Sequence, residues 1–262
     1  HLTGKRETKM QKIKSQIRIA DLKKLINNAQ SALTDQDIFL SDAYLKQLRA
    51  MGTFLMAQAH QSALKFTLKI IWDPQPNSLT GQTDKSNIVL NAGNPAIQAM
   101  PTRVERNKCV QGLAFHEFAH WIYTDFSALK TQYDTIMQGR IYPENITVTP
   151  ENKEGLKQLR KRLKSPAIRE VIAQIYHSLD NILEDAYIER CMSRAFSKSV
   201  GDSLYTLNRA LFEPTDDEGG QDFPVFAILQ NELVYALMLG KIRAGLANCP
   251  ELAVVYDRVQ KW

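Results

Sequence analysis

The feature that most constrains this chain is an apolar stretch, residues 109–125, that contains two histidines four positions apart. It reads CVQGLAFHEFAHWIYTD, and His116, Glu117 and His120 form the pattern H-E-x-x-H. On an α-helix, residues four positions apart lie on one face, so the two imidazoles can bind a single Zn²⁺. The glutamate that follows the first histidine then lies beside a zinc-bound water.

The remaining faces of this helix are apolar, which predicts that it lies in the core. Its apolar members are Leu113, Ala114, Phe115, Phe118, Ala119, Trp121 and Ile122. Buried ionisable groups are costly unless they are paired or bound to a metal. The presence of two histidines and a glutamate in this helix therefore requires an explanation. The alternative is a structural helix whose histidines hydrogen-bond to backbone, and the low frequency of the motif by chance disfavours it.

A catalytic zinc site takes three protein ligands and keeps one position open, so a third ligand is needed. Residues 165–195 predict a long helix with an apolar stripe on one side and acids on another. We predict Glu184 as the third ligand, while Asp185 and Glu189 form an acidic ridge beside it. The residues alone leave the choice among these three acids open. An ordinary amphipathic helix with solvated acids is the alternative interpretation.

The two segments together resemble the zincin metallopeptidases that use a glutamate ligand, the gluzincins. The likeness depends on HEFAH and the later NILEDAYIER. More narrowly, the chain resembles the metallopeptidase-like domain that precedes von Willebrand factor A modules in bacterial and phage proteins, including cobalt-chelatase-subunit-like chains. Thr124, Asp125 and residues 181–189 match that narrower pattern. The resemblance covers residues 60–195, and the gap between His120 and Glu184 is longer than in thermolysin-like enzymes.

This resemblance implies an α+β fold that is mostly helical and zincin-like, with a small β-sheet or hairpin before the active-site helix. It implies a zinc metallopeptidase that hydrolyses peptide bonds in peptide or protein substrates. The implied metal ligands are His116, His120 and Glu184, and Glu117 is the general base. Asn181 or Asp185 is expected to orient a ligand histidine. The alternative is a weakly active or inactive zincin-fold scaffold that works with a von Willebrand factor A domain or an ATPase.

Three regions are expected along the chain. Residues 1–60 form an N-terminal helical region with a basic arm, residues 61–195 the zincin-like core, and residues 196–262 a C-terminal helical subdomain. Within the core, residues 64–72 and 87–91 predict two short strands. In zincins an extended peptide adds to the edge strand of such a sheet, and residues 87–91 are the predicted edge. A core hairpin without substrate contact is the alternative.

Composition and charge exclude some classes of protein. The chain is 44% hydrophobic and 23% charged, which is typical of a globular domain, and no apolar run is long enough to predict a membrane span. Its three cysteines form no CxxC pair, which favours a reducing cytoplasm. Residues 1–24 hold most of the basic excess and are interpreted as a solvated terminus. A nucleic-acid-binding arm is the alternative, but no aromatic residue among these charges offers a base-stacking surface.

Overall fold

The computed structural model describes residues 33–59, 65–84, 86–213 and 225–240, and within them the protein is mostly helical with one small sheet. This confirms the predicted α+β, mostly helical class. The basic arm at residues 1–24 lies outside the described residues. In chain order the elements are α1 (Asp35–Phe39), α2 (Asp42–Gln58), β1 (Thr67–Ile71), β2 (Gly81–Thr83), β3 (Asn87–Asn91), α3 (Pro95–Gln98), α4 (Arg103–Tyr123), α5 (Phe126–Met137), α6 (Lys153–Arg162), α7 (Pro166–Ala195), α8 (Lys198–Phe212) and α9 (Val225–Leu239).

The sheet has three strands in the order β1–β3–β2. Strands β1 and β3 are parallel, and β2 runs antiparallel to β3. Strand β3 therefore lies in the centre, and its Ile88 and Leu90 side chains are fully buried. The prediction that residues 87–91 form the edge strand is wrong. The edge nearest the histidine helix is β2, a three-residue strand whose sequence GQT carries no apolar alternation.

Helix α4, which carries the two histidines, passes through the core as predicted. It begins with a capping box, in which Thr102 accepts a hydrogen bond from the Glu105 amide and the Glu105 carboxylate accepts one from the Thr102 amide. Val110, Ala114 and Phe118 on this helix are fully buried. Helices α2, α7 and α8 and strands β2 and β3 pack around it. The site residues on α4 are therefore carried by a helix that is packed into the hydrophobic core.

Helix α8 packs directly against the backbone of α4. A Cβ atom at Gly112 would lie 2.3 Å from the backbone oxygen of Ser203, so only glycine permits this approach. Val200, Leu204 and Leu207 of α8 belong to the same hydrophobic core as α4. The first helix of the predicted C-terminal subdomain thus lies against the histidine helix. Among the described residues, no helix has both the length and the apolar character that a membrane crossing requires.

Candidate metal centre

Helices α4 and α7 bring His116, His120 and Asp185 together. The Nε2 atoms of the two histidines are 3.2 Å apart, and Asp185 Oδ1 lies 3.3 Å from His120 Nε2 and 3.7 Å from His116 Nε2. Nitrogen and oxygen ligands about 2.0–2.2 Å from a tetrahedral Zn²⁺ are separated by roughly 3.3–3.6 Å. The three atoms therefore have the spacing of three ligands around one ion.

Hydrogen bonds occupy the Nδ1 atoms of both histidines, whereas the two Nε2 atoms face each other and Asp185 Oδ1. His116 Nδ1 lies 2.9 Å from Glu189 Oε1, and His120 Nδ1 lies 2.9 Å from Thr124 Oγ1. A carboxylate only accepts, so in the neutral ring His116 Nδ1 carries the proton and Nε2 presents a lone pair. Asp185 Oδ1 is buried and has no hydrogen-bond partner among the described residues. Because converging lone pairs in a buried pocket repel unless a cation lies between them, the residues fit a divalent metal.

The pocket favours positive charge at His116. Burial acts to lower the pKa of this imidazole, but the hydrogen bond to Glu189 and the negative charges of Glu189, Asp185 and Glu117 outweigh it and raise the pKa to about 9. In the metal-free protein a proton satisfies this preference. A metal cation bound at Nε2 would take its place.

Two asparagines support the carboxylates of the cluster. Asn208 Nδ2 donates to Glu189 Oε2 at 2.6 Å, and both of these side chains are buried. Asn181 Nδ2 donates to Asp185 Oδ2 at 3.2 Å on the exposed side of the site. Such outer hydrogen bonds fix the orientation of metal ligands and tune their basicity. The sequence pointed to Asn181 as a supporting residue, but it gave no signal for Asn208, which comes from α8 and lies outside both motifs.

The structure brings Asp185, and not the predicted Glu184, to the two histidines, so among the three acids that the sequence left open its geometry favours Asp185. Successive residues on a helix are rotated by about 100°, so two neighbours cannot both face α4. Asp185 and Glu189, one turn apart, occupy that face. Glu184 is half-buried elsewhere on α7 and forms no ion pair with His116 or His120 within the described part of the chain. Asp185 was expected to orient a ligand histidine. In the structure Glu189 has the contact suited to that task, because its Oε1 lies 2.9 Å from His116 Nδ1.

Glu117 lies between the cluster and the edge strand. Its side chain is buried, and burial raises its pKa; the two histidines act to lower that pKa and Asp185 acts to raise it. A Cβ atom at Gly81 would lie 2.3 Å from Glu117 Oε1. Glycine at this position therefore lets β2 pass directly over the carboxylate. The predicted general base has the burial and the raised pKa that suit a group which must both take up and release a proton.

A second contact holds the edge strand along the same helix. Trp121 Nε1 donates a hydrogen bond to Thr83 Oγ1 at 2.7 Å. Trp121 follows Glu117 by one helical turn, and Thr83 follows Gly81 by two strand residues. These two steps cover nearly equal lengths, about 6 Å on the helix and about 6.7 Å on the strand. Strand β2 therefore lies lengthwise on α4 beside the cluster.

The cluster opens into a cavity of about 430 Å³. Its polar side is formed by Thr80, Gly81, His116, Glu117, Asn181, Asp185, Glu189 and Asn208. Its apolar side is formed by Leu113, Leu207, Leu211, Phe212 and Met238. Cavities of this size that combine apolar walls with convergent polar groups are typical of ligand and substrate sites.

Comparison with known proteins finds no match: no family model fits the sequence, and no curated protein and no solved structure is significantly similar to it. The likeness to gluzincins therefore stays a prediction from the two motifs. What the structure adds is the grouping of His116, His120 and Asp185, with Glu117 beside them.

Proposed function

We propose that this protein is a zinc metallopeptidase of zincin type, in which His116, His120 and Asp185 bind the metal. The observation that carries the proposal is the triangle of two Nε2 atoms and one buried Oδ1 atom, with sides of 3.2, 3.3 and 3.7 Å. Two nitrogens and one oxygen at these distances suit Zn²⁺, and three protein ligands are the number found in catalytic zinc sites.

Glu117 has the position and the environment of the general base. It is adjacent to the first histidine, buried, and lines the same cavity as the cluster. Zinc, when bound, would lower the pKa of a water molecule and polarise the scissile carbonyl group. Glu117 would take the proton from that water and deliver it to the leaving amine, for which its raised pKa is suited.

Within the described residues β2 is an edge strand of the sheet, which supports a peptide as substrate. An extended peptide can add to such an edge as one more strand and is held by backbone hydrogen bonds. Gly81 packs on Glu117 and Thr83 is bonded to Trp121, so a peptide on β2 would run along α4 past the general base. The absence of a side chain at Gly81 keeps the peptide backbone close to the reacting groups.

The test is metal analysis combined with hydrolysis of a peptide library. The purified protein should bind one zinc ion and cleave peptides, and a chelator should abolish cleavage until zinc is restored. The Glu117→Gln variant should bind zinc as the parent does and lose hydrolysis by several orders of magnitude. Zinc binding without cleavage by the parent would favour the scaffold alternative. A protein that takes up no zinc at all would refute the proposal.

A further inference from the structure

We propose that the apolar side of the metal cavity is a specificity subsite for a large apolar side chain on a residue that flanks the scissile bond. This inference rests on the proposed function and names the substrate class that the site would take. The subsite is formed by Leu207, Leu211 and Phe212 of α8, Leu113 of α4 and Met238 of α9. Three helices therefore contribute apolar residues to the cavity that the cluster also lines.

Hydrogen bonds place this surface next to the metal ligands. His116 binds Glu189, and Glu189 in turn binds Asn208 of α8. Leu207 precedes Asn208 directly, while Leu211 and Phe212 follow it by one turn and lie on the same side of the helix. A side chain that enters the cavity from a peptide on β2 therefore meets α8 close to the reacting groups.

Among the described residues, those that bring charge to the cavity all lie on its polar side. His116, Glu117, Asp185 and Glu189 are the ionisable residues that line it within the described chain. A charged substrate side chain directed toward α8 would lose hydration without gaining a partner, whereas an apolar one would gain from burial. Leu211, Phe212 and Met238 line the cavity and are only half-buried, so they keep accessible apolar surface.

A larger apolar cavity elsewhere in the molecule provides a control. It has a volume of about 570 Å³ and is lined by Phe54, Phe115, Tyr123 and neighbours, with no Asp, Glu or His among its described lining residues. Phe54 is 59% exposed, so its replacement removes aromatic surface without opening the core. Phe54→Ala is therefore a matched control for Phe212→Ala.

The experiment measures binding of hydroxamate probes to the zinc-loaded protein, so it does not depend on turnover. Zinc content is measured first. Acetohydroxamate reports an accessible metal, and N-acetyl hydroxamates of glycine, phenylalanine, lysine and glutamate report the side-chain preference. We expect the phenylalanine probe to bind about tenfold or more tightly than the glycine probe, and the charged probes to gain nothing. Phe212→Ala should reduce the phenylalanine preference about fivefold or more, whereas Phe54→Ala should leave it unchanged.

The outcomes separate the subsite from the function on which it rests. If zinc and acetohydroxamate bind but all side chains bind equally, the subsite is refuted and the metal site stands. If zinc does not bind, the proposed function fails and the subsite falls with it. Met238→Ala provides a second test in case Phe212→Ala does not fold, and an unchanged preference in a folded variant would count against the subsite. An equal loss in Phe54→Ala would also overturn the assignment.

Discussion

Asp185 Oδ1 lies 3.3 Å from His120 Nε2, so a carboxylate from α7 meets an imidazole from α4 at the distance expected of two ligands on one ion. The same oxygen is buried and has no hydrogen-bond partner among the described residues. A buried carboxylate oxygen in this state is stabilised by a cation. This relationship favours Asp185 as the third ligand of the proposed metal site, and the neighbouring Glu184 provides the matched test.

Replacement of Asp185 should weaken zinc binding far more than replacement of Glu184. We expect Asp185→Ala to lower zinc affinity at least about a hundredfold, because a ligand is lost and a water must replace it. Glu184→Ala should bind zinc within about twofold of the parent, because its side chain is not part of the cluster. Competition with a chromophoric chelator measures both. Zinc loss in Glu184→Ala with retention in Asp185→Ala would restore Glu184 as the ligand.

Asn208 should contribute to metal affinity although it does not touch the metal ligands. Asn208→Leu keeps the size of the side chain but leaves Glu189 Oε2, which is buried, without its donor. We expect zinc affinity to fall about tenfold to a hundredfold and the protein to lose about 1–3 kcal/mol of stability. The matched variant is Asn181→Leu, which removes the exposed donor to Asp185. The effect of Asn181→Leu should be smaller, since water can replace the lost hydrogen bond. An effect as large as that of Asn208→Leu would argue against a contribution of Asn208 through Glu189.

Gly81 is expected to be required for activity but not for metal binding. The added Cβ atom of Gly81→Ala would lie 2.3 Å from Glu117 Oε1 and 2.7 Å from Leu113 Cδ1. Either strand β2 or the carboxylate must then move, at a cost of about 1–3 kcal/mol. Peptide hydrolysis should fall at least about tenfold, with zinc content unchanged. Gly155→Ala, whose Cβ meets no atom within 4 Å, should keep full activity. Full activity in Gly81→Ala would show that β2 is not held against the general base.

Zinc affinity should rise with pH up to about pH 9. In the metal-free protein the pKa of His116 is raised to about 9, so the ring is protonated at neutral pH and zinc must displace that proton. Below pH 9 zinc competes with this one proton, so the apparent zinc affinity should increase about tenfold for each pH unit because of His116. Above pH 9 this dependence should level off. Calorimetry in buffers of different ionisation enthalpy counts the released protons, and zinc uptake without proton release at pH 7 would contradict the raised pKa.

The sequence was sufficient to place His116, Glu117 and His120 together, because the spacing of four residues on a helix fixes their geometry locally. It was not sufficient to choose between Glu184 and Asp185. These neighbours differ by about 100° of rotation, and the choice depends on how α7 packs against α4. The predicted apolar stripe of α7 runs from Ile168 to Ala186 and is a poor guide to that rotation, since Ile168 is 37% exposed.

Residues that join the site through tertiary contacts could not be found from local patterns. Asn208 reaches Glu189 only because Gly112 lets α8 pack closely on α4, and nothing near residue 208 in the sequence signals this. Strand β2 has three residues and no apolar alternation, so its sequence carries no pattern that predicts a strand. Its pairing with β3 and its contact with Glu117 arise from tertiary packing, which strand propensity does not predict.

The start of the histidine helix is tied to α1 by Asp35, and this contact predicts a pH dependence of stability. Asp35 Oδ1 accepts from Arg103 Nε at 2.7 Å, and Oδ2 accepts from Arg106. Burial acts to raise the pKa of Asp35, but the hydrogen bonds and charges of Arg106 and Arg103 together outweigh it, so the pKa is lowered in the folded protein. A carboxyl group whose pKa is lower in the folded state stabilises the protein above its unfolded pKa, and this stabilisation is lost as pH falls through the folded value.

Asp35→Asn should therefore cost about 1–3 kcal/mol at pH 7, and the difference from the parent should shrink below about pH 4. Urea unfolding at both pH values measures this. Asp134→Asn, which removes a solvent-exposed pair with Lys130, should cost about 0.5 kcal/mol or less at pH 7. Equal losses in the two variants would show that the Asp35 pair does not anchor the helix.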